Sequence, residues 1–226
     1  MMNDLERTEL FQKAFPFWEH MNEEQRALFL SASHQLEFPK GANIHDGNEC
    51  TGVILVKKGS LRLYILSEEG KEITLYRLFP EEMCVLSASC VLNSITFDVF
   101  VDSEENSECV IVGGYAIDQV SKKLPEVKIF VLEAALSRFS DVMWVMQQIL
   151  FMSMDKRLAI FLLDEIAKTG SDVIRLTHEQ IAKYMGSARE VVSRMLKYFA
   201  SEGLITASRS DGIRIVDKKR LRALAL

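Results

Sequence analysis

Arg189, Glu190, Ser193 and Arg194 stand close together in "GSAREVVSRMLKYFASEGLI", at spacings that bring them to one side of a helix. An arginine fork at such a site can donate to both O6 and N7 of guanine, and a glutamate can accept from the amino group of cytosine. Lys197 belongs to the same polar side, while Val192, Met195, Leu196 and Phe199 form the apolar side that must pack inward. The chemistry this pattern suits is the reading of base edges. The plainer alternative is a solvated helix with a Glu190–Arg194 pair one turn apart.

The flanking residues favour the first reading. In "LTHEQIAKYMG", Thr177 followed three places on by Gln180 is a capping-box pattern, and Ser187 with Glu190 repeats it after "MG". Two capped helices joined by a tight glycine turn make a helix-turn-helix. Gly203 suits the residue just beyond the end of the second helix. "LITASRSDGIRIVD" then reads as two strands around Ser210-Asp211-Gly212, a wing.

Charge follows the same division. The 226-residue chain has a net charge of −5, yet residues 156–226 balance at +6 and residues 1–155 at −11. A basic C-terminal third on an acidic body points to an anionic partner for that third. The composition, 48% hydrophobic and 26% charged, is that of a globular protein. "MMNDLERTEL" lacks the apolar core of a signal peptide, and the longest charge-free run, Met83 to Phe97, is too short and polar to span a bilayer. Four cysteines, Cys50, Cys84, Cys90 and Cys109, make no disulfide scaffold in a chain of this length. A cytoplasmic protein with no membrane partner is expected.

Two further segments precede the basic third. From about residue 36 to 120 short alternating runs, with turns at Lys58-Gly59 and Glu69-Gly70, predict a small antiparallel barrel or sandwich. Val53, Leu55, Leu61, Leu63, Ile65, Ile73 and Leu75 are expected to face inward, and Asn22 to cap a preceding helix. Over residues 125–154 the period changes. Leu132, Leu136, Phe139, Met143, Met146, Leu150 and Ser153 alternate steps of four and three, a heptad seam suited to a second copy of the chain, the plainer alternative being a helix packed on its own domain. Asp155 is expected to cap the next helix and to mark a hinge.

"LTHEQIAKYMGSAREVVSRMLKYFASEGLI" resembles the winged helix of the Crp/Fnr family of bacterial transcription regulators, and the resemblance extends over nearly the whole chain in the family's order. It implies an α+β chain: an N-terminal cyclic-nucleotide-binding-like antiparallel β-roll over 1–124, a long dimerisation helix over 125–154, and a C-terminal winged helix-turn-helix over 155–226. It implies a homodimeric transcription regulator that binds an inverted repeat of double-stranded DNA and contacts RNA polymerase. Arg189, Glu190, Ser193 and Arg194 fall where the family reads bases, and Thr177, His178, Ser187, Lys197 and Arg209 where it meets the DNA backbone. His178 departs from the arginine that members carry there. Asp155 falls at the family's hinge.

The sensor segment departs further. The family's cyclic-nucleotide pocket uses a Gly-Glu-Leu and a later Arg-Ser. Here the region reads "FPEEMCVLSASCVLNSITFDVFVD", with no Lys, Arg or His from Leu78 to Val120. A buried phosphate without a cation is costly, so no cyclic nucleotide is expected. The candidate effector pocket comprises Leu86, Ser87, Ala88, Ser89, Cys90 and Thr96, suited to a small neutral or apolar molecule, with Asp98 and Glu104 close in sequence. Cys84 and Cys90 read as buried small hydrophobes or a thiol switch, and haem or thiol redox sensing stays open. His20, His34 and His45 are the sensor's histidines, His45 being expected in solvent. The competing class, an enzymatic or ligand-binding β-barrel, lacks paired carboxylates, a nucleophile–base set or a metal-ligand cluster, so no enzyme is expected.

Overall fold

Asn3 and Asn22 each start a helix by the same reciprocal device. The Asn22 side chain accepts from the Gln25 N–H at 2.9 Å, and the Gln25 amide oxygen accepts from the Asn22 N–H at 2.9 Å. In this computed structural model, which describes residues 3–47, 50–88, 97–208 and 212–226, these caps open α1 (Asp4–Ala14) and α2 (Glu23–Ser31). The chain forms two compact units, one of Met1–Glu69 with Leu75–Val142, the other of Gly70–Thr74 with Met143–Leu226.

In the first unit the strands are β1 (Ser33–Phe38), β2 (Asn43–His45), β3 (Val53–Lys58), β4 (Leu61–Leu66), β5 (Glu72–Leu78), β6 (Met83–Cys84), β7 (Phe100–Ser103) and β8 (Ser107–Val112). They form two four-stranded sheets, ordered β1-β8-β3-β6 and β2-β7-β4-β5. Val56, Leu61, Leu63, Val101 and Val110 fill one core together with residues of both sheets. The β3–β4 turn needs Gly59: its φ is +85°, and a Cβ there would lie 2.3 Å from the Ser107 hydroxyl.

Alternation along β3 does not hold as expected. Val53, Ile54, Leu55 and Val56 are all buried, because both faces of that strand are covered. Ile65 and Ile73 are only half-buried.

Phe11, Phe15, Phe17, Trp18 and Phe29 pack ring against ring with centroids 5.3 to 6.4 Å apart. Phe130 joins them, 5.3 Å from Phe17. It belongs to α4 (Pro125–Phe151), which follows α3 (Gly114–Lys123). The buried side of α4 carries Val127 and Val131, with Ala134, Ala135 and Val142 packed beside them. The heptad positions lie on the other side: Leu132, Leu136, Phe139, Met143, Met146 and Leu150 are 39 to 67% exposed.

The expected end of that helix and start of the next need correction. The long helix stops at Phe151, so Ser153 is not part of its stripe; it is the N-cap of α5 (Met154–Thr169). Asp155 therefore lies within the first turn rather than capping it. Its carboxyl is held below the usual range by hydrogen bonds from the Ser153 hydroxyl and first-turn N–H groups.

The second unit continues with β9 (Val173–Ile174), α6 (His178–Met185), α7 (Arg189–Ser201), β10 (Ile205–Ser208), β11 (Gly212–Ile215) and α8 (Lys218–Ala225). Leu158, Leu162, Ile181, Leu196, Phe199 and Leu221 lie at its core.

Candidate nucleic-acid interface

The site begins at Thr177. Its hydroxyl accepts from the Gln180 N–H at 3.1 Å, and the Gln180 side chain accepts from the Thr177 N–H at 2.8 Å, so the expected capping box opens α6. At the far end of α6, Gly186 takes the left-handed conformation, φ +56°. The Ser187 N–H then donates to the Ala182 carbonyl at 2.9 Å, which closes the turn. From α5, the Arg157 guanidinium donates to the Met185 carbonyl and fixes the end of α6.

The second capping box does not form. The N-cap of α7 is Ala188, which offers no side-chain acceptor, and the Ser187 hydroxyl donates instead to the Met154 sulfur at 3.8 Å. Closing the turn on Ala182 points Ser187 away from the N-terminus of α7. The first N–H groups of α7 thus lack a side-chain cap.

The faces of α7 divide as expected. Val192, Leu196 and Phe199 are buried and Met195 is partly buried. Arg189, Glu190, Arg194 and Lys197 are exposed, and Ser193 is half-buried. Tyr198 is exposed as well. The wing forms with β10 and β11 antiparallel, Ile205 opposite Ile215 and Ser208 opposite Gly212. β9 adds a third strand, pairing Ile174 with Ile213. Arg209 lies outside the described residues.

A groove of about 520 Å³ runs along this surface, lined by Arg175, Thr177, His178, Lys197, Ser208 and Gly212 among others. It brings together three of the residues expected at the DNA backbone, Thr177, His178 and Lys197. Ser187 does not line it. Arg175 does, although the sequence reading did not single it out. Its signal was the two-residue strand before it, too short to be legible as a strand.

In the N-terminal unit the candidate effector residues are less open. Leu86, Ser87 and Ala88 are buried, and the Ser87 hydroxyl donates to the Gly52 carbonyl at 2.7 Å. The hydroxyl proton of Ser87 is therefore committed to the backbone of Gly52 rather than offered to a ligand. Ser89, Cys90 and Thr96 lie outside the described residues. Asp98 is exposed, and Glu104 accepts from Arg77 Nε at 2.5 Å.

Three arginines from outside residues 78–120 enter this unit. Besides Arg77, Arg62 pairs with Asp102 at 3.4 Å, and Arg138 of α4 pairs with Asp141 at 3.2 Å and Glu82 at 3.5 Å. The guanidinium of Arg138 also lies 4.9 Å from the Tyr76 ring centre. The segment poor in cations is thus supplied with them by the fold, each already facing a carboxylate.

His45 is a further correction. It is 5% exposed, not solvated, and its Nδ1 shares a hydrogen bond with the Thr51 hydroxyl at 2.8 Å. Burial lowers its pKa, against the opposing pull of Asp46 and Asp98. His20 and His34 are exposed. Among the described residues no group of three or more His, Cys, Asp or Glu side chains could hold a metal ion.

Cys84 and Cys109 are free, buried thiols, and Cys50 is disulfide-bonded. Burial raises the Cys84 pKa and pushes that of Cys109 up to about 12, so neither resembles an activated thiolate. Among the described residues no helix is long and apolar enough to cross a membrane.

Residues 156–224 match the model of the Crp-like helix-turn-helix domain. The chain is 27% identical over 187 residues, 79% of its length and 75% of the relative's, to "Transcriptional activator protein anr" of Pseudomonas aeruginosa. The "c-di-GMP Responsive Global Regulator CLP" of Xanthomonas campestris shares the fold, with a TM-score of 0.72 at 18% identity over 87% of this chain and all of that one. A crystal structure of a Crp/Fnr-family protein of Eubacterium rectale superposes with a TM-score of 0.89, at 46% identity, covering 94% of this chain and 98% of that one. With a helix-turn-helix, a wing and a relative of that likeness along its length, the chain belongs to the Crp/Fnr family of DNA-binding transcriptional regulators.

Proposed function

We propose that two copies of this chain bind an inverted repeat of double-stranded DNA, each reading a G·C-containing half-site with Arg189, Glu190, Ser193 and Arg194. Thr177, His178 and Lys197 hold phosphates, and Arg209 completes the backbone contacts, whereas Ser187, expected there too, has its N–H on Ala182 and its hydroxyl on Met154. The observation that carries this reading is the exposed polar side of α7 beside a groove lined by cations and a helix N-terminus. The two copies associate through the exposed apolar stripe of α4. The sensor domain then comprises residues 1–124, the dimerisation helix begins at 125, and the DNA-binding domain follows the break at Ser153.

The sensor domain responds to a small effector other than a cyclic nucleotide. This reading is supported by the pairing of Arg62, Arg77 and Arg138 with carboxylates, which a cyclic phosphate would have to displace. Such an effector acts by binding two arrangements of the dimer with different affinity. Contact with RNA polymerase is proposed by family likeness alone, as is action without any catalytic step.

Selection of bound duplexes from a random-sequence DNA pool tests the reading face. The wild-type protein should enrich an inverted repeat, and Arg194→Ala should flatten base preference at one position of each half-site. Loss of one bidentate contact should remove about 1–3 kcal/mol of discrimination. An unchanged motif for Arg194→Ala would move the reading face elsewhere.

A further inference from the structure

Glu37, Glu108 and Lys58 stand in one row across three neighbouring strands. Glu37 on β1 is opposite Glu108 on β8, and Glu108 is opposite Lys58 on β3. Residues directly opposite on antiparallel strands share one side of the sheet, and two carboxylates so placed repel unless cations answer them. A register shift between Val56 and Lys58 inserts an extra residue in β3, so that Lys57 as well as Lys58 reaches the row. Lys57 pairs with Glu108 at 3.5 Å. Glu37 and Lys58 remain exposed, with no hydrogen-bond or ion-pair partner among the described residues.

The row lines a cavity of about 410 Å³. None of the residues expected at the effector pocket borders it. The Ser107 hydroxyl in its wall is already bonded, accepting from Ser103 at 2.9 Å and donating to the Glu105 carbonyl at 3.0 Å. The Asn106 side-chain oxygen accepts from the Lys40 N–H at 3.1 Å, which leaves the Asn106 amide N–H groups for another partner. Phe38 and Pro39 supply the apolar part of the lining. The cavity thus offers an anion, a cation, amide donors and an apolar wall. With neighbouring strands about 4.8 Å apart, the backbones at Glu37 and Lys58 are separated by about 10 Å, a gap their side chains can close around a small molecule.

A simple anion at Lys58 would face Glu37, Glu108 and the acidic excess of residues 1–155. A metal ion or polyamine at the two carboxylates would face Lys57 and Lys58. A zwitterion meets neither objection, because each of its charges has a counterpart and its net charge is zero. We propose that this cavity binds a free α-amino acid with an apolar or aromatic side chain. The ligand's ammonium lies against Glu37, and its carboxylate accepts from Lys58 and the Asn106 amide. Its side chain rests on Phe38 and Pro39. The site is separate from the DNA-reading surface and from the expected effector pocket, and it does not depend on either.

The test is calorimetry on the full chain with L-phenylalanine, L-leucine, N-acetyl-phenylalanine and phenylalanine amide. The two free amino acids should bind with dissociation constants of about 1 mM or below. The acetylated and amidated compounds, each lacking one charge, should bind more weakly. Glu37→Gln and Lys58→Gln should each weaken phenylalanine about two- to fivefold, the scale of a solvent-exposed ion pair. Glu37→Gln should no longer weaken the N-acetyl compound, and Lys58→Gln should no longer weaken the amide, because the charge each residue faces is already gone. Both substituted side chains are exposed, and unchanged unfolding midpoints would confirm intact folds.

Absence of saturable binding by phenylalanine and leucine in the millimolar range overturns the proposal. Binding that neither substitution weakens overturns it as well, since the ligand would then sit elsewhere. Equal affinity for all the phenylalanine compounds would reduce the site to its apolar wall and overturn the recognition of a zwitterion. Sequence-selective DNA binding is measured separately on the same protein, so failure of the DNA-reading helix and failure of this cavity are distinguishable.

Discussion

Lys197, near the middle of α7, borders the same groove as Thr177, whose hydroxyl caps α6. A cation and a helix N-terminus are thereby aimed at one volume, the arrangement that suits a phosphate. The cap has a second role in holding α6 itself. Thr177→Ala should lower the stability of the C-terminal unit by about 0.5–2 kcal/mol. Thr177→Ser should restore it, as read by chemical denaturation followed through helix content. Equal stability of the alanine and serine variants would show that the capping box contributes nothing.

The exposed stripe of α4 leads to a prediction about assembly. Phe139 is 58% exposed and Met146 46% exposed in the single chain, an unfavourable placement unless a second copy covers them. Phe139→Glu with Met146→Glu should convert dimers to monomers by light scattering, with loss of binding to an inverted repeat. A dimer that survives the double substitution would place the interface on another surface.

His45 links stability to pH. Its folded pKa is lowered by burial, so below the ordinary histidine pKa the unfolded chain binds a proton that the folded chain excludes. Stability is then fully present above about pH 6.5 and falls as pH drops below it. Unfolding of the N-terminal unit should show this trend, and His45→Gln should flatten it by up to about one proton. A wild-type stability that rises on acidification through this range would contradict the assignment.

Burial of Cys84 and Cys109 predicts slow chemistry. Both thiols are fully buried, with pKa values raised, that of Cys109 to about 12. Neither should react with an aromatic disulfide reagent at neutral pH until the protein is unfolded. Rapid labelling of either in the native protein, located by mass spectrometry, would show a thiol that opens to solvent.

The pairing of the sensor arginines predicts weak handling of anions. Calorimetry with cyclic AMP and cyclic GMP should show no binding at micromolar concentrations. A clear signal would mean that a phosphate displaces Glu82 or Asp141 from Arg138, or Asp102 from Arg62.

The apolar and polar sides of α7, the box at Thr177 and the heptad stripe of α4 were legible from sequence because each depends on residues within a few turns of one another. Local spacing decides such features directly. Tertiary structure decided what spacing leaves open. Ser187 lost its expected cap because closing the turn at Gly186 commits its backbone to Ala182 and carries its hydroxyl to Met154, on a preceding helix. β3 became buried on both sides only once other elements covered it. Arg138 reached Tyr76 and Glu82 from a helix far along the chain, supplying charge that residues 78–120 lack. The placement of Arg214 opposite Val173 likewise depends on strand register, which is set by which strands meet rather than by any short stretch of residues.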